Sequence, residues 1–284
     1  MVEKVTRKSM IIRPSGRSTD FLTPTIIMGC GYQCSYCYCK RHKTEGVDIA
    51  TNINDILTAV DHHVWFADVE KPNQTHPEFI TYDIGCNSDM ALHAKHYGWV
   101  KVFDFFKNHP RAMGSFATKY VNEKLLEYNP ERKIRIRFSL MPQVYAYALE
   151  PNTSSIFERI KAIDEFIAAG YDVHINFSPV IVDKDWLHLY KLLFEGVDQY
   201  VKNKDKVKAE VIFLTHNEGK HQYNLANNLT GEDLLWRPEI QEGKISQYGG
   251  ENIRYRHDLK AQYIKQWTEL HDQIIPWNTI RYIF

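Results

Sequence analysis

The chain has 284 residues, 44% of them hydrophobic and 25% charged, which suits one large domain or two modest ones around a sizeable core. Its 35 basic and 35 acidic residues balance to zero, which argues against an extended duplex-DNA footprint but leaves room for a local basic groove. No run of 18 apolar residues exists, and segment 1–20 carries Lys4, Arg7, Lys8, Arg13 and Arg17 without the apolar middle of a signal peptide. The expected location is cytoplasmic, with no membrane partner.

Apolar runs predict strands over 22–28, 79–84, 113–118, 134–141, 173–182 and 207–214. Helical periodicity between them predicts helices over 54–63, 92–108 with Gly98 as a blemish, 122–128, 155–169 and 186–201. The polar run Thr153-Ser154-Ser155 supplies an N-cap for the fourth helix, and Gly170 a stop. Repeated strand–helix units imply a parallel sheet with helices outside. About six units make this an α/β chain with a partial (β/α)6 TIM-type barrel rather than a full eight-unit one. After His216 the alternation fades into a polar tail with a helix near 258–271 and a closing strand over 279–284. The expected organisation is a basic segment 1–20, a barrel over 21–216 and an extension over 217–284 packed near the substrate.

Cysteine placement carries the chemistry. Cys30, Cys34, Cys37 and Cys39 fall within ten residues, directly after the first predicted strand, and Cys86 is the fifth. In a parallel barrel the loops after strand C-termini build the site. The C-x3-C-x2-C spacing of Cys30, Cys34 and Cys37 suits three thiolates on a cubane that leave one iron open. Zinc knuckles use two separated pairs, and no second pair follows Cys39. Ligation by Cys39 would close the open iron, so it is read as a bystander. The open iron can bind S-adenosylmethionine, and reductive cleavage of that cofactor yields a 5′-deoxyadenosyl radical. The motif therefore predicts a radical S-adenosylmethionine enzyme with a [4Fe–4S] cluster, S-adenosylmethionine and an electron donor such as flavodoxin or ferredoxin.

From about residue 21 to the C-terminus the chain resembles the spore photoproduct lyase family. The resemblance lies in FLTPTIIMGCGYQCSYCYCKRH, YDIGCNSD, FATKYVN, RIRFSLMP, HINFSPVIV, LLWRP and IRYRHDLK. It implies that Cys86 donates a hydrogen atom to the substrate radical and that Tyr38 relays it. On the residues alone, Cys86 also reads as a buried structural thiol and Tyr38 as packing against the cluster. The resemblance further implies contacts to S-adenosylmethionine from Ser88, Lys119, Ser139 and Ser178, and Tyr36 in the loop is grouped with them. Lys119 ends an apolar run, whereas Ser139 and Ser178 interrupt apolar strands where a buried hydroxyl needs a partner. Arg135 and Arg137 share a face with Ser139, either inside the barrel or at an exposed edge. Tyr248, Arg254, Tyr255 and Lys260 fall in the segment that resembles the lesion-binding region, where an arginine beside an aromatic suits phosphate and base together.

Only 29 residues precede Cys30, fewer than in the spore enzymes, and residues 61–78 have no clear counterpart there. His62, His63 and His76 in that stretch lack a carboxylate or cysteine at ligand spacing and read as surface histidines. The expected function is carbon–carbon lysis of a thymine photoproduct or related nucleic-acid lesion. A radical enzyme of the same fold acting on another nucleoside or small molecule is the alternative, and a non-catalytic iron–sulfur protein the second.

Overall fold

A computed structural model describes residues 1–41, 43, 45–66, 70–245 and 249–284. Four short strands come first: β1 (Val2–Val5), β2 (Arg13–Pro14), β3 (Phe21–Leu22) and β4 (Ile27–Met28). After the cysteine loop come β5 (Val47–Ala50), α1 (Ile53–Phe66), β6 (Ile80–Asp83), α2 (Trp99–Asn108), β7 (Ala112–Thr118) and β8 (Ile134–Leu140). Then follow α3 (Gln143–Leu149), α4 (Ile156–Ala168), β9 (Asp172–Val180), α5 (Trp186–Tyr200) and β10 (Lys208–Phe213). The tail holds β11 (Thr215–His216), α6 (Glu218–Ala226), α7 (Glu232–Leu235) and β12 (Gln241–Ile245). It ends with β13 (Glu251–Tyr255), α8 (His257–Ile274) and β14 (Thr279–Ile283). No helix among the described residues is long and apolar enough to cross a membrane.

The main sheet has the order β14-β10-β9-β8-β7-β6-β3-β2. Strands β3, β6, β7 and β8 pair in parallel, and β2 lies antiparallel at the edge. This is the expected α/β partial barrel. Smaller sheets are formed by β1, β5 and β4, and by β11, β13 and β12.

By packing, the chain divides into two compact units. One comprises Met1–Gly31, Cys39–Phe138 and Ala162–His174; the other Tyr32–Tyr38, Ser139–Lys161 and Ile175–Phe284. In the first, alternation along the strands sends Phe116 and Phe138 towards the helices. There Phe116 meets Phe103 of α2 and Phe138 meets Phe166 of α4, with centroids 6.0 and 5.3 Å apart. In the second, Phe177 of β9 packs on Phe194 of α5 and Trp267 of α8 at 5.4 and 5.2 Å. Burying each such ring contributes roughly 2–3 kcal/mol.

The opposite face of the sheet is polar. In the first unit the Arg137 guanidinium donates to Asp83 and to Ser115 Oγ, and Arg135 Nε to Asp172 Oδ2 at 2.6 Å. Both arginines are buried, so they lie inside the sheet's polar face and not at an exposed edge. A charge buried there without its partner would cost several kcal/mol, which is why each arginine has a carboxylate.

Some element boundaries differ from the sequence expectation. Segment 22–28 is two strands in two sheets, because Pro24 has no N–H to continue the ladder and Ile26 O instead accepts from Ala50 N of β5. Segment 92–108 splits into a 3-10 turn at Ala94–His96 and α2, with non-helical Gly98 between them. Segment 122–128 tightens to a 3-10 turn, Glu123–Glu127, capped by Asn122. The start of α4 is a capping box, with Glu158 N donating to Ser155 Oγ and Ser155 N to Glu158 Oε2. Gly170 ends it at φ +97°, in the left-handed region.

Candidate active site

The cysteine loop starts in the first unit. Gly29 has φ +87°, and a Cβ there would sit 2.5 Å from Gly46 O, so only glycine turns the chain at this point. Its N–H donates to Asn87 O at 3.1 Å, tying the loop to the exit of β6. Next to buried Cys30, Gly31 N donates to His93 Nε2 at 3.2 Å. That geometry requires an unprotonated Nε2. Burial, against the weaker pull of Asp89, lowers the His93 pKa to about 4 and keeps the ring neutral.

Cys86 follows β6 in the turn 85–88, where Gly85 N donates to Asp83 Oδ1 and Ser88 N to Gly85 O. A Cβ on Gly85 would lie 2.7 Å from Met90 Cγ and 3.0 Å from Phe116 Cβ, so the turn closes on the core only with glycine. Burial foremost, with the Asp83 charge, pushes the Cys86 thiol up to about 12, against Arg13 and Arg137. It therefore keeps its hydrogen at neutral pH. Asp89, which the sequence reading passed over, accepts from Thr118 Oγ1 at 2.7 Å and from Lys119 N at 2.8 Å. It thus sets Lys119 at the exit of β7. Ser88 Oγ is buried and has no hydrogen-bond partner among the described residues.

In the second unit Cys34 is buried, Cys37 is half-buried and Tyr38 is 52% exposed. Cys37 N donates to Cys34 O at 3.0 Å. Every polar group of Ser35 is engaged. Its amide donates to Leu149 O and its hydroxyl to Thr230 O, and its carbonyl accepts from Asn224 Nδ2. The Tyr36 hydroxyl donates to Glu150, whose other oxygen accepts from Arg159 Nη2 at 2.7 Å. Both side chains of that ion pair are 0% exposed. Arg159 Nη1 also donates to Ser139 O at 2.9 Å, so one guanidinium links the cysteine loop's anchor to β8. Burial, with the Glu150 and Cys34 charges, holds the Tyr36 phenol well above its ordinary pKa.

Ser139, 1% exposed, accepts from Asn176 Nδ2 at 3.4 Å, while Asn176 Oδ1 is buried without a partner among the described residues. Ser178 is half-buried two residues further along β9, on the same face. Asn176 had a legible signal, its period-two spacing from Ser178 in an apolar strand. Glu150, Arg159, His93 and Asn224 had none, since their partners lie far along the chain.

The tail residues are placed differently. Tyr248 lies outside the described residues. Arg254 Nε donates to Glu242 Oε1 at 3.0 Å across the β12–β13 pair. Tyr255 is fully buried and its hydroxyl accepts from Val182 N at 2.9 Å, which makes it a core residue. Lys260 lies over the Phe284 ring at 4.9 Å. Of the three histidines, His63 is half-buried, 2.8 Å from the Tyr82 hydroxyl, and His76 Nδ1 accepts from Glu78 N and Phe79 N. His62 packs on Phe66.

A partial α/β barrel with a C-x3-C-x2-C loop after an early strand defines a radical S-adenosylmethionine type of chain. The family model for spore photoproduct lyase matches residues 3–284, and the chain belongs to that family. It is 27% identical over 197 residues to the spore photoproduct lyase of Bacillus subtilis, covering 68% of this chain and 55% of that protein. It is 24% identical over 269 residues to that of Clostridium acetobutylicum, covering 92% and 75%. The chain thus spans little more than half the length of the Bacillus relative. Among solved structures it resembles a spore photoproduct lyase complexed with dinucleoside spore photoproduct, at TM-score 0.88 and 20% identity over 100% of this chain and 82% of that one. A more distant likeness, TM-score 0.52 and 12% identity, is to anSMEcpe with bound AdoMet, over 99% of this chain and 65% of that one.

Proposed function

We propose that this chain is a radical S-adenosylmethionine lyase that repairs a thymine photoproduct by reversing its carbon–carbon bond. Spore photoproduct lyase structures with bound AdoMet and dinucleoside spore photoproduct share its fold. The observation that carries the reading is the Gly29 N to Asn87 O hydrogen bond, which ties the start of the cysteine loop to the turn holding Cys86.

The donor set suits the cofactors. Cys30, Cys34 and Cys37 would hold a [4Fe–4S] cluster with one iron free for S-adenosylmethionine. Ser88 Oγ, in the first unit, is a buried oxygen with unspent hydrogen-bonding capacity among the described residues, and S-adenosylmethionine carries amine and ribose hydroxyl groups from which such an atom can accept. When bound, cluster and cofactor supply the 5′-deoxyadenosyl radical that abstracts a substrate hydrogen. The chain's own part is to position and to return hydrogen. Asp89 orients Lys119 for a carboxylate or ribose oxygen, and Glu150 with Arg159 fixes Tyr36 and the Ser139 carbonyl. Cys86, kept as a thiol, gives its hydrogen atom to the opened substrate radical, and exposed Tyr38 serves as the hydrogen relay.

The test is an anaerobic assay of the reconstituted protein with S-adenosylmethionine, dithionite and the lesion dinucleotide. Restored thymine, with deuterium from the lesion appearing in 5′-deoxyadenosine, is expected. Cofactor cleavage stimulated by another nucleoside but never by the lesion would overturn the proposal in favour of a different substrate. A cluster without any 5′-deoxyadenosine would leave a non-catalytic iron–sulfur protein.

A further inference from the structure

Edge strand β2 carries a cation to the polar face of the sheet. Arg13 is the register partner of Leu22, and Leu22 that of Asp83. Register partners project to the same face, so Arg13 lies on the face that holds Asp83, Ser115 and Arg137 and not on the helix side. Two strand spacings separate it from Asp83, roughly 10 Å of backbone. Asp83 closes β6 just three residues before Cys86.

The two other arginines described on this face in the first unit are already engaged. Arg137 pairs with Asp83, and Arg135 with Asp172. Arg13 is exposed, and its guanidinium makes no hydrogen bond or ion pair among the described residues. Its charge nevertheless reaches the Cys86 thiol, and more strongly than that of Arg137. The molecule as a whole is neutral, so any attraction for an anion has to be local. An uncommitted guanidinium at the open edge, within electrostatic range of the reacting thiol, matches a singly charged phosphodiester that spans two nucleosides.

We propose that Arg13 is a specificity-determining residue that binds the phosphodiester bridging the two nucleosides of the lesion. This rests on the function proposed above and specifies which group of the substrate is read.

The experiment compares kcat/KM for two lesions, the dinucleotide with its bridging phosphate and the dinucleoside without it. Wild type should prefer the phosphate-bearing lesion by about tenfold, a preference that falls as salt is raised. In Arg13→Gln the preference should collapse towards one, mostly through KM, and Arg13→Lys should restore part of it by returning the charge without the fork. A preference retained in Arg13→Gln overturns the proposal, as does a wild-type ratio near one. Wild type that cleaves S-adenosylmethionine yet repairs neither lesion overturns the function itself, and this assignment with it.

Discussion

Cys86 illustrates how one residue's surroundings select its chemistry. A thiol close to a cationic surface usually becomes a thiolate nucleophile, but here burial and the Asp83 carboxylate outweigh Arg13 and Arg137. The proposed role of hydrogen-atom donor requires that Cys86 carry its hydrogen, and a thiol pushed up to about 12 does so throughout the physiological range. Two results are expected. Cys86→Ala should still cleave S-adenosylmethionine but divert the substrate radical away from thymine, as read by product chromatography. In wild type the repair rate should show no limb attributable to Cys86 between pH 6 and pH 10. The stability sign is also set: the folded state holds this proton more tightly than the unfolded chain. The contribution is therefore complete below about pH 8.5 and is lost as pH rises towards 12.

Among the elements, the cysteine loop is held by residues other than the three proposed cluster ligands. Ser35 and Tyr36 are bonded to the end of α3, to its cap Glu150, to Asn224 of α6 and to Thr230 in the segment between α6 and α7. Behind that segment, the Glu232 carboxylate accepts from Asn224, and His216 and His221 lie within hydrogen-bond reach of it. Burial alone would raise the Glu232 pKa, but these bonds hold it below the ordinary carboxylate value. Glu150→Gln would leave the buried Arg159 charge without its counterion, with an expected loss of about 3–5 kcal/mol in urea denaturation. Gly231→Ala should also loosen the loop. Gly231 has φ +76°, and a Cβ there runs into Leu149 Cδ2, displacing the residue that accepts from Ser35 N. Its readout is a lower iron content after reconstitution.

For the whole molecule, neutrality means that pH acts through particular buried groups more than through a global charge. His93 is the clearest case. Its folded pKa of about 4 lies below the unfolded value near 6.5, so the unfolded chain takes up the proton first on acidification. The stability it confers is fully present above pH 6.5 and is lost as pH falls towards 4, by up to about 3 kcal/mol. The Gly31 N–H loses its acceptor in the same window. Urea denaturation at pH 7 and pH 5 should show this slope in wild type, and His93→Gln should flatten it; equal slopes would remove His93 from the acid response.

Local chemistry made much of this legible. Three thiols at C-x3-C-x2-C spacing suit one small cluster, and the period-two pattern of Ile134–Leu140 demands one apolar and one polar face. The stop at Gly170 likewise follows from backbone sterics alone. What depends on distant partners was not legible. The split of 22–28 between two sheets needs β5, and the burial of Tyr255 with its hydroxyl on Val182 N needs a remote strand end. The clamp on Ser35 and Tyr36 joins residues up to 195 positions apart. Spacing and periodicity alone carry the C-x3-C-x2-C motif and the main strand–helix alternation of the barrel. Which charges are paired and which thiol stays protonated depend on the folded chain, because burial and pairing arise when remote segments meet.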